Sequence, residues 1–206
     1  MTVRLHSAVL ILLLALSGCS STPVEDRYYS LVLTTDEAAP ARVAGPGAPL
    51  LVVGPISLPD YLHKRGIALQ SGASQIQTAN HHFWAEPLDE AIAKVLVRDI
   101  ERLSGNILVE RDAGRWTGNA DCRVRVEFDR FHATGDSRVV SSGRYWLVSL
   151  GDSASNDLPD ARYEFSVSRP LSADGYAHAV QVLRESLNVV AEKINGHIDK
   201  QSTCTN

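Results

Sequence analysis

Three cysteines and one histidine pair are the residues of this 206-residue chain whose types and spacing could do chemistry. Cys19 stands where an unbroken apolar run, Ala8 to Leu16, gives way to small polar residues. A thiol stranded at the edge of a hydrophobic segment marks a place where chemistry happens. Cys122 and Cys204 form an even pair, which suggests a disulfide in an oxidising compartment. Spacing says nothing about their distance, so a buried Cys122 with a free tail thiol at Cys204 stands beside that reading. His81 and His82, with Glu86 close by, supply metal-ligating groups. Adjacent side chains on an extended chain point to opposite sides, and no second cluster with metal spacing follows, so the segment reads as a loop and no metal is expected. The chain has no G-x-S-x-G elbow, P-loop or G-x-G-x-x-G. No serine is tied to a histidine, no catalytic set can be nominated, and the expectation is a protein that is not an enzyme.

The elements around Cys19 give its thiol a role. Arg4 precedes the apolar run, which falls far short of the about 20 residues of a membrane span and has the build of an export signal. Leu16-Ser17-Gly18-Cys19 resembles the bacterial lipobox, in which diacylglycerol is attached to the cysteine sulfur, the signal is cut before it and the new amine is acylated. The alternative is an ordinary signal-peptide cysteine with cleavage elsewhere. On the lipobox reading, residues 1–18 are a cleaved signal and residues 19–26 a lipidated tether. Residues 27–206 then form one periplasmic domain. The diacylglycerol and N-acyl chain on Cys19 are the only attached groups expected. Buried acyl chains contribute about 0.8 kcal/mol per methylene, enough to hold a domain on a bilayer without a spanning helix. Ser20, rather than aspartate, follows the cysteine, which favours the outer membrane facing the periplasm. The eight residues from Cys19 to Arg27 reach at most about 28 Å, so the domain sits close to its membrane.

Removing residues 1–18 takes away Arg4 alone and leaves 19 basic residues against 24 acidic ones. That balance gives no electrostatic case for nucleic acid, or for a basic face on anionic lipid.

Segment 27–33 (RYYSLVL) is β-rich and reads as a strand, followed by an Ala, Pro and Gly-rich loop over 34–49. Residues 50–56 (LLVVGPI) read as a buried strand, 57–66 as a turn-rich excursion, and 67–70 and 75–78 as short strands. Pro87, Asp89 and Glu90 mark a helix start and Gly105 its end. Between them Leu88, Ile92, Val95, Leu96, Ile100 and Leu103 line one face. Residues 107–110 read as a further strand. Strict alternation from Cys122 to Phe128 puts Cys122, Val124, Val126 and Phe128 on one face and Arg123, Arg125, Glu127 and Asp129 on the other. Segments 142–150 and 161–168 continue an antiparallel meander across a turn at 151–160. A terminal helix from about Ser172, a plausible N-cap, carries the stripe Tyr176, Val180, Leu183, Leu187, Val190, Ile194 and Ile198. This stripe has the spacing of a seam for a second subunit, but a helix more often uses such a face to cover its own sheet. The expected fold class is α+β: a mixed, largely antiparallel sheet covered by two amphipathic helices.

In order along the chain, the lipobox, YYSL (28–31), VGPISLPDYLHKRGI (53–67) and FWAEPLDEAIAKVL (83–96) resemble the PqiC/YmbA lipoproteins, auxiliary components of ABC-type and MCE transport systems. The resemblance implies an outer-membrane lipoprotein that faces the periplasm and works with a periplasm-spanning MCE-domain protein and an inner-membrane integral component. Together these move lipids or other hydrophobic molecules between the membranes. A docking role points first to Leu58, Tyr61 and Leu62 in the excursion and to Trp84 and Glu86 at the helix start. Against it, Leu58, Tyr61 and Trp84 could simply pack under the loop. Docking predicts a filled core and either self-association as a homo-oligomer or partner binding. The alternative, a periplasmic lipid-binding carrier, predicts an apolar cavity between sheet and helices.

Overall fold

The computed structural model describes residues 24–32, 45–112, 120–150, 161–199 and 204. Cys19 and the expected turn at 151–160 lie outside the described residues, as does most of the expected loop at 34–49.

The strands are β1 (Arg27–Tyr29), β2 (Leu50–Ser57), β3 (Gly66–Gly72), β4 (Gln75–Trp84), β5 (Leu108–Arg111), β6 (Cys122–Thr134), β7 (Arg138–Ser149) and β8 (Ala161–Pro170). They form one mixed sheet of eight strands. Strand β6 is its axis. β7 pairs antiparallel along one side of β6, and β8 pairs antiparallel with β7. The other side of β6 is shared. β2 runs parallel to residues 122–127, and β3 then runs parallel to Ala133 and Thr134. Two branches leave from there: β5 adds to β2, while β4 and then β1 add to β3. The excursion 58–65, with a single 3-10 turn at Asp60–Leu62, bridges the gap where the branches part.

Alternating sequence makes the inner face. Cys122, Val124, Val126 and Phe128 of β6, with Val139, Tyr145 and Leu147 of β7, are buried. A bulge between Phe128 and Arg130 inserts Asp129 as an extra residue, which resets the alternation. Phe131 and Ala133 therefore rejoin Phe128 inside, and His132 goes to the opposite face. Phe128 packs edge-to-face on both Phe131 and Phe165, with ring centroids 5.5 and 5.2 Å apart, a favoured arrangement.

Helices α1 (Leu88–Leu103) and α2 (Tyr176–Ile198) lie side by side over this face. Pro87 stands just ahead of α1, its carbonyl accepting from Ala91 N–H at 3.0 Å. The helix ends where Ser104 turns to extended backbone and its Oγ donates to Asn195 Oδ1 of α2 at 2.7 Å. In α2, Leu183, Leu187, Val190, Ile194 and Ile198 are fully buried against their own sheet and α1, so the stripe is core. A buried ion pair also links the two helices. Arg184 donates to both carboxylate oxygens of Asp99 at 2.7 Å, with Asp99 1% and Arg184 7% exposed at their side chains.

Several element boundaries depart from the sequence pattern. α2 starts at Tyr176 and not after Ser172, because the chain turns at Gly175 with φ of 106°, a conformation that suits glycine. Ser172 instead engages His178 Nε2 through its N–H at 3.2 Å and its Oγ at 3.1 Å. Strand β1 stops at Tyr29. β4 runs to Trp84, so His81 and His82 are on a strand and not in a loop. β4 lies between two partners, β3 and β1, and this pairing holds the backbone extended where polar residues give no alternation to read.

Candidate docking surface

The residues singled out from sequence fall into three environments. Leu62 and Trp84 are buried, at 3% and 6% exposure, and do not present outward. Both join the core, Leu62 from the 3-10 turn and Trp84 from the end of β4, where its N–H is held by the Arg65 carbonyl at 2.8 Å. Leu58 and Tyr61 are half-buried and packed against the same core. Glu86 is partly exposed and forms an ion pair with Lys94, eight residues further on in the second turn of α1.

Tyr61 also ties the excursion to the outer face of the sheet. Its hydroxyl donates to His132 Nδ1 at 2.8 Å, and His132 Nε2 in turn donates to Gln70 Oε1 of β3 at 3.2 Å. This chain suits a neutral imidazole. Burial, with Arg130 adding a smaller like-charge effect, lowers the pKa of His132 to about 4. The unfolded histidine titrates near 6.5, so between pH 6.5 and 4 the unfolded state binds the extra proton and stability falls as pH falls. Full stability is present above pH 6.5. The loss reaches roughly 2–3 kcal/mol at about pH 4. In denaturant melts across this window, a His132→Gln variant is expected to lose most of that slope.

The first histidine pair divides as its strand requires. His81 Nδ1 meets Asp26 Oδ1 at 2.9 Å, while His82 Nδ1 accepts from the Tyr29 hydroxyl at 2.8 Å and stacks on Tyr176 at 4.1 Å. Among the described residues no group of three or more His, Cys, Asp or Glu side chains converges on a metal position.

Cys122 and Cys204 are bridged, with Cα atoms 5.6 Å apart across a sequence separation of 82. The bridge pins Cys204 to the start of β6. Such a crosslink acts largely by restricting the unfolded chain, and its loss in a Cys204→Ser variant is expected to cost roughly 2–4 kcal/mol. Thermal unfolding with and without reductant checks this.

The most distinctive outward feature lies on the sheet face opposite the helices. A groove is lined by Pro55 and Ser57 of β2, Arg125 and Glu127 of β6, and Trp146 of β7. Arg125 and Trp146 are directly opposed across the β6–β7 ladder. Gly54, with φ of 132°, lets the chain turn into the groove at Pro55, and a Cβ there would come within 2.9 Å of the Asp112 Cβ. Beside the groove, Arg144 pairs with Asp129 at 2.9 Å and Glu127 at 3.5 Å. A half-buried tryptophan ringed by charges of both signs has the make-up of a protein contact: an aromatic anchor with a polar rim. Sequence reasoning placed Arg125 and Glu127 on an outward face but missed Trp146. The signal available was its place in alternation with Tyr145 and Leu147, which put it outside.

Among the described residues, Phe128, Phe131, Tyr145 and Leu183 are buried between the sheet and the helices. Among the described residues no helix is long and apolar enough to cross a membrane.

Residues 29–195 match the family described as the ABC-type transport auxiliary lipoprotein component. The chain is 29% identical over 176 residues to the intermembrane transport lipoprotein PqiC of Escherichia coli K12, an alignment covering 85% of this chain and 87% of that one. The Shigella flexneri protein of the same name matches to the same extent. Among solved structures, an uncharacterized protein is similar with a TM-score of 0.69 and 26% identity, over 85% of this chain and 99% of the other. Protein XCC0632 of Xanthomonas campestris shares the fold with a TM-score of 0.59 and 23% identity, over 77% and 93%.

Proposed function

This chain belongs to the ABC-type transport auxiliary lipoprotein family, and from that premise we propose that it is the outer-membrane docking component of an MCE-type intermembrane lipid transport system. The family is one of transport auxiliary lipoproteins and not a class of enzymes. The similarity to PqiC over 85% of the chain is the observation that carries the reading. In it, acylated Cys19 fixes the domain at the outer membrane, facing the periplasm. A periplasm-spanning MCE-domain protein, held at its other end by an inner-membrane integral component, brings its tip to the domain. The groove around Trp146 receives that tip. The large side chains buried between sheet and helices favour docking over the carrier alternative.

Affinity purification of the intact lipoprotein from crosslinked cells, with mass spectrometry of proteins and extractable lipids, tests this. An MCE-domain protein with little stoichiometric lipid is the expected recovery. Bound lipid without such a partner would turn the reading to a carrier. Trp146→Ala is expected to lower capture of the MCE protein by at least tenfold, since a central aromatic anchor contributes about 2 kcal/mol or more. Its melting temperature should stay within a few degrees of the parent, because the side chain stands outside the core. Undiminished capture would exclude the groove as the contact.

A further inference from the structure

We infer that the β1–β4 edge of the sheet rests on the headgroup layer of the membrane that holds Cys19, with Tyr28, Phe83 and Arg65 as its contact. The inference rests on the lipidation of Cys19. Tyr28 is 55% exposed and Val24, just ahead of it, 67% exposed. The Tyr28 and Phe83 rings lie 5.6 Å apart, and the Arg65 guanidinium covers both, at 5.8 and 5.5 Å from their centroids. Exposed Lys64 adds a second cation at the tip of the excursion, beside exposed His63. An aromatic pair capped by a guanidinium suits an interface, where rings enter the acyl boundary and the cation meets lipid phosphate.

Chain length places this cluster at the bilayer. Five residues separate Cys19 from Val24, a reach of at most about 18 Å. β1 is the strand next to the tether, whereas β8 is five strand spacings across the sheet, about 24 Å away. Charge is also sorted locally, in spite of the net acidity of the chain. The tether's Asp26 is paired with His81, while Lys64 and Arg65 have no acidic partner among the described residues and remain available to phosphate.

The test uses the intact lipoprotein, carrying a fluorophore on His63→Cys or, as the distant control, on Glu164→Cys of β8. Each is reconstituted in phosphatidylethanolamine and phosphatidylglycerol vesicles with headgroup spin-labelled lipid. Quenching at position 63 is expected to exceed that at 164 by at least threefold, and adding Tyr28→Ser and Arg65→Glu should bring the two together. Flotation with the vesicles reports anchoring separately. A protein that floats but is quenched equally at both positions, or more at 164, overturns the orientation while leaving lipidation intact. A protein that fails to float overturns the lipidation reading and this inference with it. Blue-shifted emission at 63 without spin quenching means that a protein, a second copy included, covers the edge, and overturns the membrane contact.

Discussion

Replacing Asp99 with alanine is expected to destabilise the fold by about 3–5 kcal/mol. The carboxylate is the bidentate partner of Arg184 between α1 and α2. Its removal leaves a guanidinium buried with only Asn188 Oδ1, at 2.7 Å, for company. At this chain length the loss corresponds to a fall in melting temperature on the order of 10 °C. Arg184→Met alone should also be costly, because it leaves the buried Asp99 carboxylate only its longer ion pair with Arg102, at 3.7 Å. Asp99→Leu combined with Arg184→Met should recover much of the stability, since replacing a whole buried ion pair by apolar groups is often close to neutral. Chemical denaturation of Asp99→Leu, Arg184→Met and the double variant measures the coupling. Additive losses would mean that the pair contributes nothing beyond packing.

The second large effect is one of location. Replacing Cys19 with alanine removes the acceptor sulfur and, with it, tens of buried methylenes at about 0.8 kcal/mol each. The protein is expected to move from the membrane to the soluble fraction almost completely, with uncleaved precursor as the only membrane-held form. Fractionation and the mass of the N-terminal peptide separate these species. A Cys19→Ala protein that is processed and still bound to membranes would sink the lipoprotein reading.

The sequence was most readable where one physical rule acted alone. Strict alternation from Cys122 to Phe128 gives the inward face of β6 correctly. For α1, Pro87, Asp89 and Glu90 locate the start because proline and the helix dipole act on the first turn whatever surrounds it. Reading failed where tertiary partners decided. His81 and His82 belong to a strand because β1 and β3 flank it. Leu62 and Trp84 are buried because the branches of the sheet close over them, although their neighbours His63, Lys64 and Ala85 are exposed. The bulge at Asp129 carries no residue signature, yet it decides that His132 leaves the core side and meets Tyr61. The groove around Trp146 was half legible: the charges of β6 were placed outward, but its meeting with Pro55 depends on β2 lying beside β6, a non-local pairing that no local pattern encodes.

The end-to-end seating of β2 and β3 along one side of β6 also has a mechanical consequence. If the domain is held by a lipid at one side and pulled by a partner at Trp146, the load passes laterally from β1 through β4 and β3 into β6. The shortest ladders on that route are the three residue pairs of β1 with β4 and the two of β3 with β6. β6 is also clamped along its full length by β7 and tied to Cys204 by the disulfide. Tension would therefore open the membrane-side branch first and leave the partner-side branch intact, making the joint between them a shear pin.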